Sequence, residues 1–223
     1  VPSTFVRVSG CNLRCVWCDT PYASWAPEGE VMEVQSIVAA IAAYPSRHVV
    51  LTGGEPMLFD AIEPLAAALK DRGHAITIET AGTVFREVAC DLMSISPKLS
   101  NSTPTAGLRD DVPGVVLDPG WTARHESIRL DLEPLRRLVD RYPFQLKFVV
   151  NPEGESNDLD DLLEFLARLG REVSVDRIRL MAEGTEPETL HRRMHVLVPW
   201  CMENGFRLTP RLHVDLFGNT RAT

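Results

Sequence analysis

Apolar positions along this chain fall into short runs that alternate with helically spaced sets. Phe5–Val8 reads as a strand. Val34, Ile37, Val38 and Ile41 recur at the spacing of one helix face. His48–Thr52 is a β-branched run that ends at Gly53-Gly54. Ile62 to Lys70 is rich in Ala and Leu and predicts a helix that stops near Gly73. Ala75–Thr80 and Leu92–Ser96 predict strands, and Phe144–Val150 a strong one. Leu159 to Leu169 predicts a helix, opened by Ser156 or Asn157 and ended by Gly170. Ile178–Met181 predicts a further strand. Thr185-Glu186-Pro187-Glu188 has the form of a capping box and predicts a helix to about Asn204. Strand–helix units repeated in this way, with fully apolar strands, predict a parallel sheet with helices outside it, an α/β fold.

One stretch breaks the rhythm. Between Lys98 and Ser127 the chain is rich in Pro, Gly, Ser, Thr and Asp. A loop this long in a compact domain is functional or mobile, and here it is a candidate cover for a site. Asp110-Asp111 within it read as solvated. No internal repeat or domain boundary is visible, and 223 residues suit one large domain. The chain opens at Val1, almost inside a strand pattern, so an upstream N-terminal segment is expected to be missing.

Composition narrows the function. A net charge of -8 argues against general nucleic-acid binding, which needs a basic phosphate-tracking surface. No apolar run approaches the roughly 20 residues of a membrane span, and no export signal is seen. Five cysteines, three of them clustered, do not suit a disulfide framework, so a reducing cytoplasm is expected. Cys90 and Cys201 stand alone and read as buried small hydrophobes. His191 and His195 lie four apart beside Arg192 and Arg193, and read as a solvated helix face. Only three lysines occur among 23 basic residues. Lys98 follows a strand end and is placed to meet an anion, whereas Lys147 reads as surface or barrel interior.

The clustered cysteines carry the chemistry. Cys11, Cys15 and Cys18 have C-x3-C-x2-C spacing with no fourth cysteine nearby. A closed structural zinc site needs four ligands, so zinc would require a distant fourth. A 4Fe–4S cluster on three thiolates keeps one iron open to a ligand. Trp17 and Trp25 can shield such a centre. The second feature is Leu51-Thr52-Gly53-Gly54-Glu55-Pro56, at the C-terminal end of a predicted strand, where parallel α/β folds bind ligands. Its glycines let the backbone approach a ligand closely, and they equally suit a plain tight turn.

Together the triad and the Gly-Gly-Glu-Pro turn resemble the radical S-adenosylmethionine enzymes. The resemblance implies a partial (pruned) parallel α/β barrel, with a 4Fe–4S cluster whose open iron chelates S-adenosylmethionine. A narrower resemblance rests on Phe5-Val6-Arg7, on the run from Cys15 through Cys18-Asp19-Thr20-Pro21-Tyr22, and on Glu79-Thr80-Ala81-Gly82-Thr83. Ser96-Pro97-Lys98, Leu146-Lys147-Phe148-Val149-Val150 and Leu208-Thr209-Pro210-Arg211-Leu212-His213 extend it over nearly the whole chain. These segments are similar to the 7-carboxy-7-deazaguanine synthase family. That family rearranges 6-carboxy-5,6,7,8-tetrahydropterin, by hydrogen abstraction at C6 and ring contraction, with loss of ammonia. Its product feeds queuosine-type 7-deazapurine pathways.

The resemblance carries roles to particular residues. Cys11, Cys15 and Cys18 would ligate the cluster. Trp17, Cys18, Asp19, Gly54, Ser96, Pro97 and Lys98 would line the S-adenosylmethionine site. Thr20 would offer its oxygen to Mg2+, a hard cation. Arg7 would face the pterin carboxylate, Thr52 would touch the pterin, and His213 would close the site. It also implies a homodimer and a reductant protein such as flavodoxin. Two departures are visible: the upstream Gln-Gly-Glu run of the family is absent, and Met181-Ala182-Glu183-Gly184 stands where Met-Pro-Glu-Gly is usual. Two rival readings are a glycyl-radical-activating enzyme and a zinc-bound, non-catalytic binding module.

Overall fold

A computed structural model describes residues 1–105, 107–108, 112 and 115–221. The chain runs β1 (Ser3–Val8), α1 (Pro21–Ser24), α2 (Val34–Ile41), β2 (His48–Gly53), α3 (Ile62–Asp71), β3 (Ala75–Thr80), β4 (Leu92–Ile95). It continues with β5 (Gly107–Leu108), β6 (Val116–Leu117), α4 (Gly120–Leu130), α5 (Glu133–Arg141), β7 (Phe144–Val150), α6 (Asp158–Leu169), β8 (Ile178–Ala182). The last elements are α7 (Pro187–Asn204), β9 (Arg207–Leu208) and α8 (Leu212–Phe217).

Seven strands form one sheet in the order β1-β2-β3-β4-β7-β8-β9, and every pair is parallel. The order follows the chain without reversal. A doubly wound sheet reverses once, where its crossovers change faces; a barrel does not. The β1 and β9 edges do not join, so the fold is a partial parallel α/β barrel, as expected.

The strands are not fully apolar, which corrects the sequence reading. They alternate. Val49, Leu51, Ile76, Ile78, Met93, Ile95, Leu146, Phe148 and Leu180 form the outer face and pack under the helices in one buried core. The inner face mixes Val50, Val149 and Met181 with paired polar groups: His48 Nε2 meets Thr77 Oγ1 at 2.9 Å, Gln145 Nε2 donates to Ser94 Oγ at 2.9 Å, and Arg179 Nε donates to Gln145 Oε1 at 2.6 Å. Strand side chains alternate with period two, so a one-sided core leaves every second position free for hydrogen-bonding groups. In β3 and β7 the polar positions of the inner face are Thr77, Glu79, Gln145 and Lys147.

Two helix ends and one loop test the local signals. Asn157 caps α6 by accepting the Asp160 amide, and Gly170 ends it at φ 63°. The capping box before α7 does not form: Glu186 occupies the cap without a side-chain bond, and Pro187 opens the helix. The long Pro/Gly-rich stretch is shorter than its composition suggests, because Gly120–Leu130 is helical and β5 and β6 form a small antiparallel ribbon. Asp110-Asp111 lie outside the described residues. Cys201 is buried and Cys90 packs partly buried against the core, as expected of small hydrophobes.

Candidate active site

The C-terminal ends of the strands surround a cavity of about 840 Å³, at the upper end of the roughly 300–1,000 Å³ usual for ligand sites. Cys11, Cys15, Trp17, Cys18, Asp19, Thr20, Thr52, Gly54, Ser96, Lys98, Arg7 and His213 all line it. The structure thus gathers every anticipated site residue except Pro97, which faces a small crevice beside Ala81 and Leu135.

Residues after β1 form the thiol loop. Among the described residues no three His, Cys, Asp or Glu side chains stand close enough to hold one metal ion. The three thiols line one cavity and feel one another's charge, the soft donor set that a cluster with one open iron needs. Burial pushes the Cys11 thiol up to about 11 and raises Cys15 further. Their ionisation is therefore coupled to metal binding. The loop is anchored on several sides. Trp25 Nε1 donates to Cys15 O at 3.0 Å, the Val16 amide to Ser102 O at 3.0 Å, and Trp17 Nε1 to Asn101 Oδ1 at 3.2 Å. Trp25 also packs with Val112, Leu117, Cys18 and Trp121, so described parts of the long loop cover this side of the site.

The Gly-Gly turn has a physical reason that spacing did not reveal. A Cβ on Gly54 would stand 2.2 Å from Gly10 O and 2.4 Å from Ala23 O. Gly54 is needed where two stretches of backbone cross, so that the Glu55 amide reaches Gly10 O at 2.9 Å. Gly53 adds a φ of 144°, open to glycine alone. Glu55 is fully buried and accepts from Thr80 Oγ1 (2.7 Å) and the Ala81 (2.7 Å) and Met57 (3.0 Å) amides. Burial raises its pKa against those bonds. The cysteine loop, β2 and β3 are thereby locked together.

Charged groups divide the cavity. Lys98 Nζ rests on Ser96 O (2.6 Å) and Ser96 Oγ (2.9 Å), 5.5 Å from the Trp17 ring centre. Arg7 is exposed to the cavity, beside Thr52 in register, and has no carboxylate partner among the described residues. Thr52 Oγ1 donates to Glu79 Oε2 at 3.1 Å, and Lys147 Nζ donates to Glu79 Oε1 at 3.2 Å. Burial opposes ionisation of Glu79, but Lys147 and Thr52 outweigh it and hold the carboxyl below its ordinary pKa. Lys147 is therefore an interior residue. Thr20 stands before α1, but its hydroxyl caps nothing; it lies 3.8 Å from Cys18 Sγ. Burial lowers the pKa of His213.

Asp19 lines the cavity, but its carboxylate is held by Arg211, which also donates to Ala182 O at 3.2 Å. Burial works against the Asp19 charge and Arg211 overcomes it, leaving the carboxyl below its ordinary pKa. This pair joins the loop after β1 to the loop after β9, across the gap in the barrel. Glu79 and Arg211 lay inside segments used for the resemblance, yet nothing in their spacing marked their roles. His191 is exposed on α7, and its Nε2 meets Asp215 Oδ1 of α8 at 3.2 Å.

A thiol loop at the mouth of a parallel barrel, locked to a Gly-Gly-Glu turn, defines the radical S-adenosylmethionine class. The family model for the Radical SAM superfamily matches residues 5–100. A 7-carboxy-7-deazaguanine synthase of Halobacterium salinarum is 42% identical over 100% of this chain and 85% of its own length. One from Rhodopirellula baltica is 38% identical over 99% of this chain and 81% of its own. The crystal structure of QueE from Escherichia coli superposes with a TM-score of 0.61 at 25% identity, covering 95% of this chain and 85% of that one. The chain belongs to the 7-carboxy-7-deazaguanine synthase family. Membership makes it a radical S-adenosylmethionine lyase of deazapurine biosynthesis, with a 4Fe–4S cluster and S-adenosylmethionine as cofactors. The zinc-module and glycyl-radical-activase readings are set aside on this ground. No helix among the described residues is long and apolar enough to cross a membrane.

Proposed function

We propose that this chain converts 6-carboxy-5,6,7,8-tetrahydropterin to 7-carboxy-7-deazaguanine and ammonia. The observation that carries the reading is Arg7: a guanidinium with no direct ion pair among the described residues, on the inner wall of the cavity that the three thiols also line. A planar fork of donors suits a carboxylate. Cys11, Cys15 and Cys18 hold the cluster. The cluster and S-adenosylmethionine supply a carbon-centred radical by one-electron cleavage of the cofactor.

The chain's own groups then divide the work. Lys98 meets the cofactor carboxylate, and Trp17, Cys18, Asp19, Gly54 and Ser96 complete that wall. Pro97 acts from behind by fixing the backbone between Ser96 and Lys98. Thr20 offers Mg2+ a hydroxyl whose contact is the long one to Cys18 Sγ, at 3.8 Å. Thr52, already oriented by Glu79, touches the pterin, and His213 closes the mouth. Trp25, Val112 and Leu117 keep water from the thiol side, where a radical needs a dry site. The enzyme works in the cytoplasm as a homodimer and takes its electron from a protein such as flavodoxin.

The test is anaerobic reconstitution with iron and sulfide, then incubation with S-adenosylmethionine, reductant, Mg2+ and the carboxypterin. The expected result is one 7-carboxy-7-deazaguanine per substrate consumed, and neither cluster nor product in Cys15→Ala. Cofactor cleavage without the deazaguanine would refute the substrate assignment.

A further inference from the structure

His125 stands outside the cavity wall and has no part in the function described above. It lies on α4, is 0% exposed, and contacts the cysteine loop at a point between two thiols. The Arg14 amide donates to its Nδ1 at 3.2 Å. On the other side its Nε2 lies 3.0 Å from Ser102 Oγ, and Ser102 Oγ donates to Leu99 O at 2.6 Å. The protons of this relay have one consistent assignment. A backbone amide only donates, so Nδ1 accepts and the ring proton sits on Nε2. Nε2–H then donates to Ser102, whose own proton goes to Leu99. Burial pushes the imidazole down to about 4, so the ring is neutral at neutral pH, as the relay requires.

The relay ends where the cofactor wall begins. Leu99 and Ser102 follow Ser96, Pro97 and Lys98, and Ser102 O also accepts the Val16 amide. One imidazole therefore couples the arc between Cys11 and Cys15 to the segment carrying Lys98. It also commits the Arg14 amide. In the arc from Cys11 to Cys15 the Leu13 amide faces a thiol, Cys11 Sγ at 3.4 Å, whereas the Arg14 amide is turned away onto the ring. Amides pointed at cluster sulfurs alter the reduction potential, and groups behind a ligand set its orientation.

We infer that His125 is a positioning residue for the iron–sulfur loop: through Nδ1 it fixes the Arg14 backbone, holding Cys11 and Cys15 in their ligating arrangement before iron arrives and keeping one amide off the cluster. This rests on the assignment of the three cysteines as ligands. Filling space would require only the ring's volume; positioning requires the Nδ1 acceptor. Asparagine places an acceptor near Nδ1. Glutamine reaches instead toward Nε2 and Ser102.

The experiment compares wild type, His125→Asn, His125→Gln and Ser102→Ala. In iron-free protein, amide exchange at Arg14 should be slow in wild type and His125→Asn. It should be at least about tenfold faster in His125→Gln, which lacks the Nδ1 acceptor, as expected for one lost hydrogen bond, and intermediate in Ser102→Ala, which frees the ring but keeps Nδ1. After reconstitution, His125→Gln should lose iron to a chelator about tenfold faster than wild type. Its midpoint potential, read by redox titration with EPR, should be less negative, because the freed amide can turn to a sulfur. His125→Asn should keep the wild-type potential. Equal potentials and equal iron retention in the Asn and Gln variants would overturn the inference, as would unchanged Arg14 exchange in His125→Gln. If wild type takes up no iron, the cysteine assignment fails by itself, and Arg14 exchange still decides the relay.

Discussion

Gly54→Ala tests the claim that the Gly-Gly turn is a backbone crossing and not merely a flexible loop. The new methyl carbon would lie 2.2 Å from Gly10 O, 2.4 Å from Ala23 O and 2.6 Å from Gly10 C. All three are main-chain atoms, so no side chain can rotate aside. Relief requires the cysteine loop to lift from β2. That movement breaks Glu55 N–H to Gly10 O (2.9 Å) and Gly10 N–H to Ala23 O (2.8 Å). Two such bonds are worth about 1 kcal/mol each, and overpacking adds about 1–3 kcal/mol. The sum is about 3–5 kcal/mol. At roughly 2–4 °C per kcal/mol for a chain of this size, the melting temperature should fall by about 6–20 °C. Gly73→Ala is the control: its φ is 80° and no atom lies within 4 Å of the added carbon. It should cost only the left-handed backbone penalty of about 1–2 kcal/mol. Thermal unfolding of the iron-free proteins, followed by circular dichroism, gives both numbers, and iron content after reconstitution reports on the loop. A Gly54→Ala protein that melts like the control and takes up a full cluster would refute the crossing argument.

Three further outcomes are expected. Arg7→Ala should weaken carboxypterin binding by roughly ten- to a hundredfold, from about 1.5–3 kcal/mol for a charge-assisted bond. It should leave S-adenosylmethionine binding near normal, with Arg7→Lys only partly restoring affinity; anaerobic binding of both ligands decides it, and the reverse pattern would move Arg7 to the cofactor. Thr20→Ala should raise the Mg2+ requirement while Thr20→Ser keeps most activity, and turnover independent of Mg2+ in both wild type and Thr20→Ala would remove the residue from the mechanism. Arg211→Met should destabilise the fold by about 2 kcal/mol, between a surface and a buried pair. The folded pKa of Asp19 is depressed below its ordinary 3.8, so the pair contributes fully above that pH and is lost as pH falls through the folded value. Melting curves of wild type and variant should therefore begin to converge below about pH 4 and approach each other most below the folded pKa of Asp19, and a gap unchanged down to acid unfolding would show that Arg211 acts through Ala182 O and packing alone.

Local signals in this chain were legible because their physics is local. The β-branched run at His48–Thr52, the helical spacing of Val34 to Ile41, and Asn157 and Gly170 at the ends of α6 need only neighbouring residues to act. Where competing local chemistry existed, the reading failed. Thr185 had a capping form, but Pro187 opened α7 without it. Helices α4 and α5 went unread: α4 buries little beyond His125, so it shows almost no apolar stripe. The apolar strands were half read, because outward core residues such as Ile76 and Ile78 dominate the eye while Thr77 and Glu79 beside them lie on the inner face, Glu79 at the cavity.

By itself the sequence determined six of the seven strands of the main sheet in their order, helices α2, α3, α6 and α7, the three-thiol loop and the position of the Gly-Gly-Glu turn. These depend on spacing along the chain, and spacing is what a sequence carries. Tertiary structure alone decided which groups meet. Asp19 goes to Arg211, 192 positions away, because the curl of the sheet brings the loops after its first and last strands together. Lys147 is an interior cation because Glu79, two strands away, faces it across the inner wall. Gly54 must be glycine because Gly10 and Ala23 pass beside it. His125 becomes part of the thiol loop because α4 folds back over Arg14. Each is a contact between residues far apart in the chain, set by barrel closure and steric exclusion, and no local pattern encodes it.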